Sequence, residues 1–153
     1  DLSDEGDDLS NHIAQEKIDM SYRRIERLGA EYGLVYKNKT RKFNTHKLHK
    51  AALYAEKEGK YYEFAKEAFK TIFEYGKNVA DPLVINEIGL NAGLNIVEMN
   101  NCINSHDFDE IFEESKKLES VFEVDSVPTF IVNDSKKVTL LKDYEKFKKD
   151  LLE

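Results

Sequence analysis

Apolar residues along most of this sequence recur every three or four positions, the spacing that places them on one face of an α-helix. The pattern extends from about residue 19 to 121, with turn-forming residues at intervals. Two runs of β-forming residues then follow, Thr129–Val132 and Val138–Leu141. Because Asn133-Asp134-Ser135 between them supplies turn chemistry, this region predicts a β-hairpin. The sequence therefore predicts a helical body followed by a small β element.

Seven helices are predicted from apolar spacing, capping residues and glycines at helix ends. The residues expected to begin or cap them are Asp19, Asn44 or Thr45, Tyr61, Asp81, Asn95, Asp107 and, after the hairpin, Asp143. The residues expected on inward faces include Ile25, Leu28, Tyr32, Phe69, Ile111, Leu118 and Tyr144. Short connections between helices indicate antiparallel neighbours in a bundle.

Charge and composition exclude several classes of protein. The 153 residues include 30 acidic and 23 basic side chains, for a formal net charge of -7, which argues against a surface that binds nucleic acid. No apolar run approaches the ~20 residues that a membrane-spanning helix needs. We therefore expect neither nucleic acid nor a membrane as a partner.

The predicted hairpin raises a physical problem, because an isolated two-stranded hairpin is only marginally stable in water. The apolar strand Thr129–Val132 is typical of the interior of a larger sheet, yet no other convincing strand is evident. Either helices cover the hairpin, or the strands that pair with it lie outside this sequence. Since unpaired strand edges promote self-association, we expect the chain to dimerise or exchange strands.

Val127-Pro128-Thr129-Phe130 places a proline at the first residue of a strand, after a helix and before a hairpin. Proline is tolerated at that position. This arrangement resembles the cis-proline element of thioredoxin-fold proteins, and the stretch Asp125–Asp134 is similar to the DsbA-like thiol–disulfide oxidoreductases. The resemblance implies a cis peptide bond between Val127 and Pro128. It also implies that Val127, Pro128 and Thr129 bind a substrate peptide or thiol.

Upstream features extend the resemblance. Gly33-Leu34, Asn44-Thr45, His49 and Gly59 follow in the order of the helical insertion of the cytoplasmic FrnE-like branch. The implied fold class is α/β thioredoxin-like and mostly α in this chain. The implied domains are a helical insertion domain over residues 1–121 and a C-terminal ββα part over 122–153. His49 is implied to line the substrate cleft, and a cytoplasmic location follows from the branch.

One departure from this family changes the functional expectation. In the family, a first βαβ unit precedes the insertion and carries the catalytic cysteine, usually in Cys-x-x-Cys. That unit has no counterpart here, and Cys102 is the single cysteine. We therefore expect a fragment of a protein disulfide oxidoreductase that is inactive alone, with no catalytic residue and no cofactor of its own. The substrate of the parent protein would be a protein or a small thiol.

Two smaller departures affect the implied substrate contacts. Ser126 stands where the family commonly has glycine, and Leu140-Leu141-Lys142 replaces a turn that contains glycine.

Two other functions fit the same residues. One is a glutathione-dependent transferase or isomerase of the kappa and 2-hydroxychromene-2-carboxylate isomerase type, which needs an N-terminal serine or cysteine. The other is a non-enzymatic adaptor or peptide-binding module.

Other chemically interesting residues favour structural roles. Cys102 lies among Ile96, Met99 and Ile103 on an apolar helix face, as a buried and inert thiol does. His46 and His49 are three residues apart on one predicted helix, but two histidines without further ligands are weak evidence for a metal. We therefore expect no metal site.

Overall fold

The segments with helical spacing form helices in the computed structural model. The structure describes residues 4–37, 40–139 and 144–152. The chain divides into two units, residues 1–106 and residues 107–153. Residues 109–121, which form a helix, lie in the second of these units, although the predicted domains place them with the helical part. The predicted division at residue 121 stays a prediction.

The first unit is mainly helical, with one very short strand pair and a 3₁₀ turn at Leu9–Asn11. Its elements are β1 (Asp7–Asp8), α1 (Gln15–Ala30), β2 (Arg41–Lys42), α2 (His46–Lys57), α3 (Tyr61–Phe69), α4 (Pro82–Asn91) and α5 (Ile96–Asn104). β1 and β2 pair antiparallel. The sequence did not predict this pair, because two-residue strands produce no recognisable alternation.

Side chains that accept hydrogen bonds from backbone N–H groups mark where three of these helices begin. The Asn95 side chain accepts hydrogen bonds from the backbone N–H groups of Val97 at 3.1 Å and Glu98 at 3.4 Å. The Asp81 side chain accepts from the N–H of Leu83 at 2.8 Å. The Asn44 side chain accepts from the N–H of His46 at 2.9 Å. These bonds satisfy N–H groups that have no partner inside the helix, and they confirm the predicted starts.

Two predicted helix starts are wrong. Helix α1 begins at Gln15, and Asp19 lies inside it, where its carboxylate accepts a hydrogen bond from the Gln15 side chain at 2.8 Å. The helix after Asp107 begins at Asp109, and Phe108 precedes it without a side-chain cap. Both predictions assumed that an aspartate marks the start of a helix, a preference that other local contacts override.

The predicted third helix, residues 61–75, also changes its geometry along its length. After α3 the chain continues as a π-helical segment at Lys70–Glu74. The wider turn shifts the spacing of the side chains that follow. Phe69 is the last residue of α3, before this segment, and is 63% exposed although the regular spacing places it inward.

The core of the first unit lies among α2, α3, α4 and α5, which pack against one another. The largest side chains that are fully buried are Phe64, Val79, Ile85, Ile88 and Met99. Side-chain hydrogen bonds also join these helices. The Tyr54 hydroxyl donates to Glu98 at 3.1 Å, and the Asn100 amide donates to Asn86 at 2.9 Å.

The inward face predicted for α1 is wrong at most of its positions. Ile25, Leu28 and Tyr32 are all exposed, whereas Gly29 is buried. The Tyr36 ring covers Gly29 so closely that a Cβ there would lie 2.5 Å from Tyr36 Cε2. The helix otherwise packs against the 3₁₀ turn at Leu9–Asn11, so most of its apolar face has no cover in the described part of the unit.

The second unit has a helix, a hairpin and a second helix. Its elements are α6 (Asp109–Val121), β3 (Thr129–Val132), β4 (Lys136–Thr139) and α7 (Tyr144–Leu152). The strands are antiparallel, with Thr129 opposite Thr139 and Val132 opposite Lys136. The second strand therefore begins two residues before its predicted start. Leu140, Leu141 and the predicted cap Asp143 lie outside the described residues.

Few side chains of the second unit are buried. Val138 on β4 is 3% exposed, and the Phe130 and Phe147 rings meet edge to face with their centroids 4.8 Å apart. Ile111, Leu118 and Tyr144 are exposed, although their spacing predicts inward positions. The described elements of this unit are too few to cover every apolar face.

Within the described parts of the chain, no helix has the length and the apolar character needed to cross a membrane.

Candidate functional site

The loop after α6 reverses the chain and leads it to β3. Glu123 has a positive φ of 49°, a left-handed conformation that ends helices. The backbone N–H of Val124 then donates to the carbonyl of Glu119 at 2.9 Å, and the N–H of Glu123 donates to the carbonyl of Ser120 at 3.2 Å. The side chain of Lys137 donates to the carbonyl of Glu123. These bonds hold the loop against the end of α6 and beside β4.

The predicted substrate-binding residues follow in this loop. The Val127–Pro128 peptide bond is cis, the isomer that the family resemblance implies. Val127 is 86% exposed, whereas Pro128 and Thr129 are partly buried. The Thr129 hydroxyl donates to the carbonyl of Ser126 at 2.5 Å. The loop therefore presents the Val127 side chain to solvent while its neighbours are held in place.

A groove of about 730 Å³ lies beside Val127, entirely within the second unit. We call it the α6 groove, after the helix that forms one wall. Its apolar lining comes from the last turns of α6, the loop and β3. These residues are Leu118, Phe122, Val124, Val127 and Ile131. A concave apolar surface of this size accommodates side chains of a peptide or an apolar ligand.

The lining of the α6 groove also includes polar and acidic residues. The polar residues that line it are Ser115, Glu119, Asp125, Ser126 and Asp134. Asp125 accepts a hydrogen bond from the Ser126 hydroxyl at 3.0 Å. None of the described residues that line the groove is a lysine, an arginine or a histidine. The groove therefore combines apolar lining residues with carboxylates that no described basic lining residue balances.

The backbone of β3 pairs with a strand on one side only among the described residues. Among the described residues, β3 pairs with β4 and with no other strand. The edge of β3 away from β4 therefore presents N–H and C=O groups without a neighbouring strand. Such an edge is a template for an added strand.

His49 belongs to the first unit, where it lies on α2. Its side chain is exposed, yet its pKa is lowered from the ordinary value. The larger cause is desolvation of the imidazolium by surrounding protein atoms, and the second is repulsion by His46. A lowered pKa favours the neutral ring. The predicted role of His49 in substrate binding stays a prediction.

Cys102 is a free thiol on α5 and is partly buried. Cys102 is thus less buried than the apolar residues near it in the sequence predict. The described residues contain no group of three or more histidine, cysteine, aspartate or glutamate side chains arranged to hold a metal ion.

Sequence reasoning missed several residues of the α6 groove. Phe122, Val124 and Ile131 line it, but the sequence assigns the first two to a connection and Ile131 only to a strand. The signal that could have found them is the alternation of apolar residues at 122 and 124 directly after the predicted helix. Alternation over so few residues is common in loops, so it did not stand out.

Comparison with known protein families gives one match that covers nearly the whole chain. A family model described as "DSBA-like thioredoxin domain" matches residues 2–152. The match confirms the predicted fold class, α/β thioredoxin-like and mostly α in this chain. A search of curated proteins found no match.

Proposed function

Because this chain belongs to the family of DSBA-like thioredoxin domains, we propose that it serves a thiol–disulfide oxidoreductase as the part that holds the substrate. The α6 groove and Val127 form the binding surface. The observation that carries this proposal is the position of Val127, which is 86% exposed at the edge of an apolar groove. An exposed apolar residue in a loop held by hydrogen bonds fits a contact with a substrate.

The chemistry of the proposed enzyme requires a thiolate. That thiolate attacks one sulfur of a substrate disulfide, forms a mixed disulfide and releases the other sulfur as a thiolate. A second thiolate then attacks the mixed disulfide, releases the reduced substrate and leaves the enzyme oxidised. Cys102 is poorly suited to this role, since it is the only cysteine of the sequence and is partly buried. We therefore propose that the attacking cysteine lies on polypeptide outside these residues.

The finer assignments rest on the resemblance to the FrnE-like branch. We propose that the parent protein carries a first βαβ unit with the reactive cysteine and acts in the cytoplasm on proteins or small thiols. His49 would contact the substrate together with Val127, Pro128 and Thr129. Mass measurement of the intact natural protein, compared with the 17.8 kDa of these residues, tests whether further polypeptide accompanies them.

Self-association is a further part of the proposal. The open edge of β3 favours pairing between two copies, because its backbone groups lack a neighbouring strand among the described residues. Light scattering over a range of protein concentrations should show a dimer. A monomer at every concentration would contradict it.

Insulin reduction and dithiol oxidation test the proposed activity. The 153-residue chain should catalyse neither reaction, whereas the longer natural protein should catalyse both. In that longer protein, Val127→Lys should lower kcat/KM by about tenfold, because it places a charge at the apolar lip. Val121→Lys is the matched control, since Val121 is 71% exposed and does not line the groove. Turnover by the 153-residue chain alone would refute the missing-cysteine proposal.

The adaptor function stays the second candidate, because the α6 groove offers a binding surface that needs no cysteine. An adaptor would bind its partner in a stoichiometric complex whether or not dithiothreitol is present. An oxidoreductase would instead form a mixed disulfide that dithiothreitol releases. A pull-down in both conditions separates these functions.

A further inference from the structure

A smaller hollow lies in the first unit, along one face of α1. Its volume is about 290 Å³, and its lining consists of Asp19, Tyr22, Arg23, Glu26 and Tyr36. We call it the α1 pocket. The first four of these residues follow at steps of three, one and three positions, which places them along two turns of one helix face. The lining therefore combines two carboxylates, one guanidinium and two phenol rings.

The chain turns back after α1 and brings Tyr36 to this face. Gly33 has a positive φ of 68°, and the backbone N–H of Leu34 donates to the carbonyl of Gly29 at 3.1 Å. The Tyr36 ring then lies directly over Gly29 and meets the Phe73 ring edge to face, with 5.8 Å between the centroids. Because these contacts hold the ring in place, a ligand pays little entropy to order it.

The charged side chains of the α1 pocket are largely unused within the chain. Arg23 and Glu26 are three residues apart on the helix, a spacing at which opposite charges commonly pair. Yet the side chain of neither forms an ion pair or a hydrogen bond with any residue that the structure describes. Asp19 accepts a hydrogen bond from Gln15 at 2.8 Å, and its carboxylate has capacity for more. The pocket therefore offers groups of both charges to a ligand.

We propose that the α1 pocket binds a small zwitterion that carries one carboxylate and one methylated ammonium group. The forked guanidinium of Arg23 matches the two oxygens of a carboxylate. The methylated ammonium lies against the rings of Tyr22 and Tyr36, since phenol rings attract such cations through their π faces. Glu26 and Asp19 complement its charge.

Charge and size both favour a zwitterion in the α1 pocket. The two carboxylates repel a ligand that is only an anion, and Arg23 repels one that is only a cation. The volume equals that of roughly ten water molecules, which suits a molecule with two small charged ends. The α1 pocket shares no residue with the α6 groove, so this inference does not rest on the proposed function.

NMR titration of the 153-residue chain at low salt tests the inference with three probes. Glycine betaine carries both charged groups, choline carries the methylated ammonium without the carboxylate, and acetate carries the carboxylate alone. Amide signals of α1 and of Tyr36 should shift saturably with glycine betaine. The affinity for choline should be about fivefold lower, because choline has no partner for Arg23. Acetate should produce no saturable shift.

Substitutions on the same helix connect this selectivity to named groups. Arg23→Gln should lower the affinity for glycine betaine to that for choline, by about fivefold, without weakening choline. Arg24→Gln is the matched control, since it removes the same charge from an exposed position outside the lining. Glu26→Gln should weaken both ammonium ligands by about threefold. Its control is Glu31→Gln, which is also exposed and outside the lining.

Three results would overturn the inference. They are the lack of a saturable shift with glycine betaine, equal affinities of the unaltered chain for glycine betaine and choline, and equal losses from Arg23→Gln and Arg24→Gln. The last result would show that only the net charge of the helix matters. All four substituted side chains are exposed, and circular dichroism checks that each variant keeps its helices. No probe contains sulfur, so the result does not depend on disulfide exchange.

Discussion

Tyr54 shows how one side chain combines core packing with a polar contact. It is 3% exposed, and its hydroxyl donates to Glu98 on a neighbouring helix. Burial, followed by the hydrogen bond to Glu98, raises the pKa of Tyr54 to about 12. The sequence pattern did not single out this residue, because tyrosine occurs as often at the surface as inside.

The raised pKa predicts how stability responds to alkaline pH. The folded protein keeps the Tyr54 proton up to pH of about 12, whereas an unfolded chain releases it near pH of about 10. Because the folded state then binds more protons, the free energy of unfolding should fall as pH rises from about 10 to 12. Urea denaturation across this range measures the fall, and Tyr54→Phe should reduce it.

A comparison with an exposed tyrosine isolates this effect. Tyr54→Phe should also lower stability by about 1 kcal/mol at neutral pH, through loss of its hydrogen bond. Tyr62 is 74% exposed, so Tyr62→Phe should leave both stability and its alkaline dependence unchanged. Equal effects of the two substitutions would contradict the prediction.

The boundaries of the helices depend mainly on local capping. Helix α5 illustrates this, because Asn95 accepts hydrogen bonds from two backbone N–H groups of the first turn. Such a cap is readable from a short stretch of sequence, since the bonds involve residues within three positions. The start of α1 is different: Ala14 precedes it and makes no side-chain cap.

Removal of the α5 cap should therefore have a defined cost. Asn95→Ala should lower the free energy of unfolding by about 1 kcal/mol, because two N–H groups lose their acceptor. Asn95→Asp retains an acceptor and should cost less than half of this loss. Asn101→Ala serves as the control, since Asn101 is an exposed residue inside the same helix. Urea denaturation measures all three, and equal losses for Asn95→Ala and Asn101→Ala would contradict the role of the cap.

The two units differ strongly in how much apolar surface they bury. Among the described residues, fifteen of the buried hydrophobic side chains lie in residues 1–106, and Val138 is the one in residues 107–153. Burial of apolar side chains is the main favourable contribution to stability. The second unit, which holds the α6 groove, therefore has the weaker core.

Hydrogen exchange should reveal this difference. Backbone amides of α6 and α7 should exchange at least about tenfold faster than those of α2, α4 and α5, because regions with few buried contacts open at lower free energy. Exchange followed by mass spectrometry resolves the two units through separate peptides. Uniform protection across both units would show that they unfold together.

The sequence by itself determined the features that depend on neighbours along the chain. Apolar spacing, the side-chain hydrogen bonds of Asn44, Asp81 and Asn95 at helix starts, and the hairpin whose first strand is Thr129–Val132 all follow from local preferences. The order of motifs around Pro128 identified the fold class. Each of these signals involves residues only a few positions apart in the sequence, whose side chains contact the nearby backbone.

Only the tertiary structure decided which apolar faces are buried. Leu28 and Leu118 have the same spacing as core residues, yet both are exposed, since no described element of their own units packs over them. The α6 groove likewise combines Phe122 and Ile131, which belong to different segments, with carboxylates that no sequence pattern groups together. Burial and charge at a surface depend on what distant parts of the chain place there, and periodicity along one helix carries no information about that.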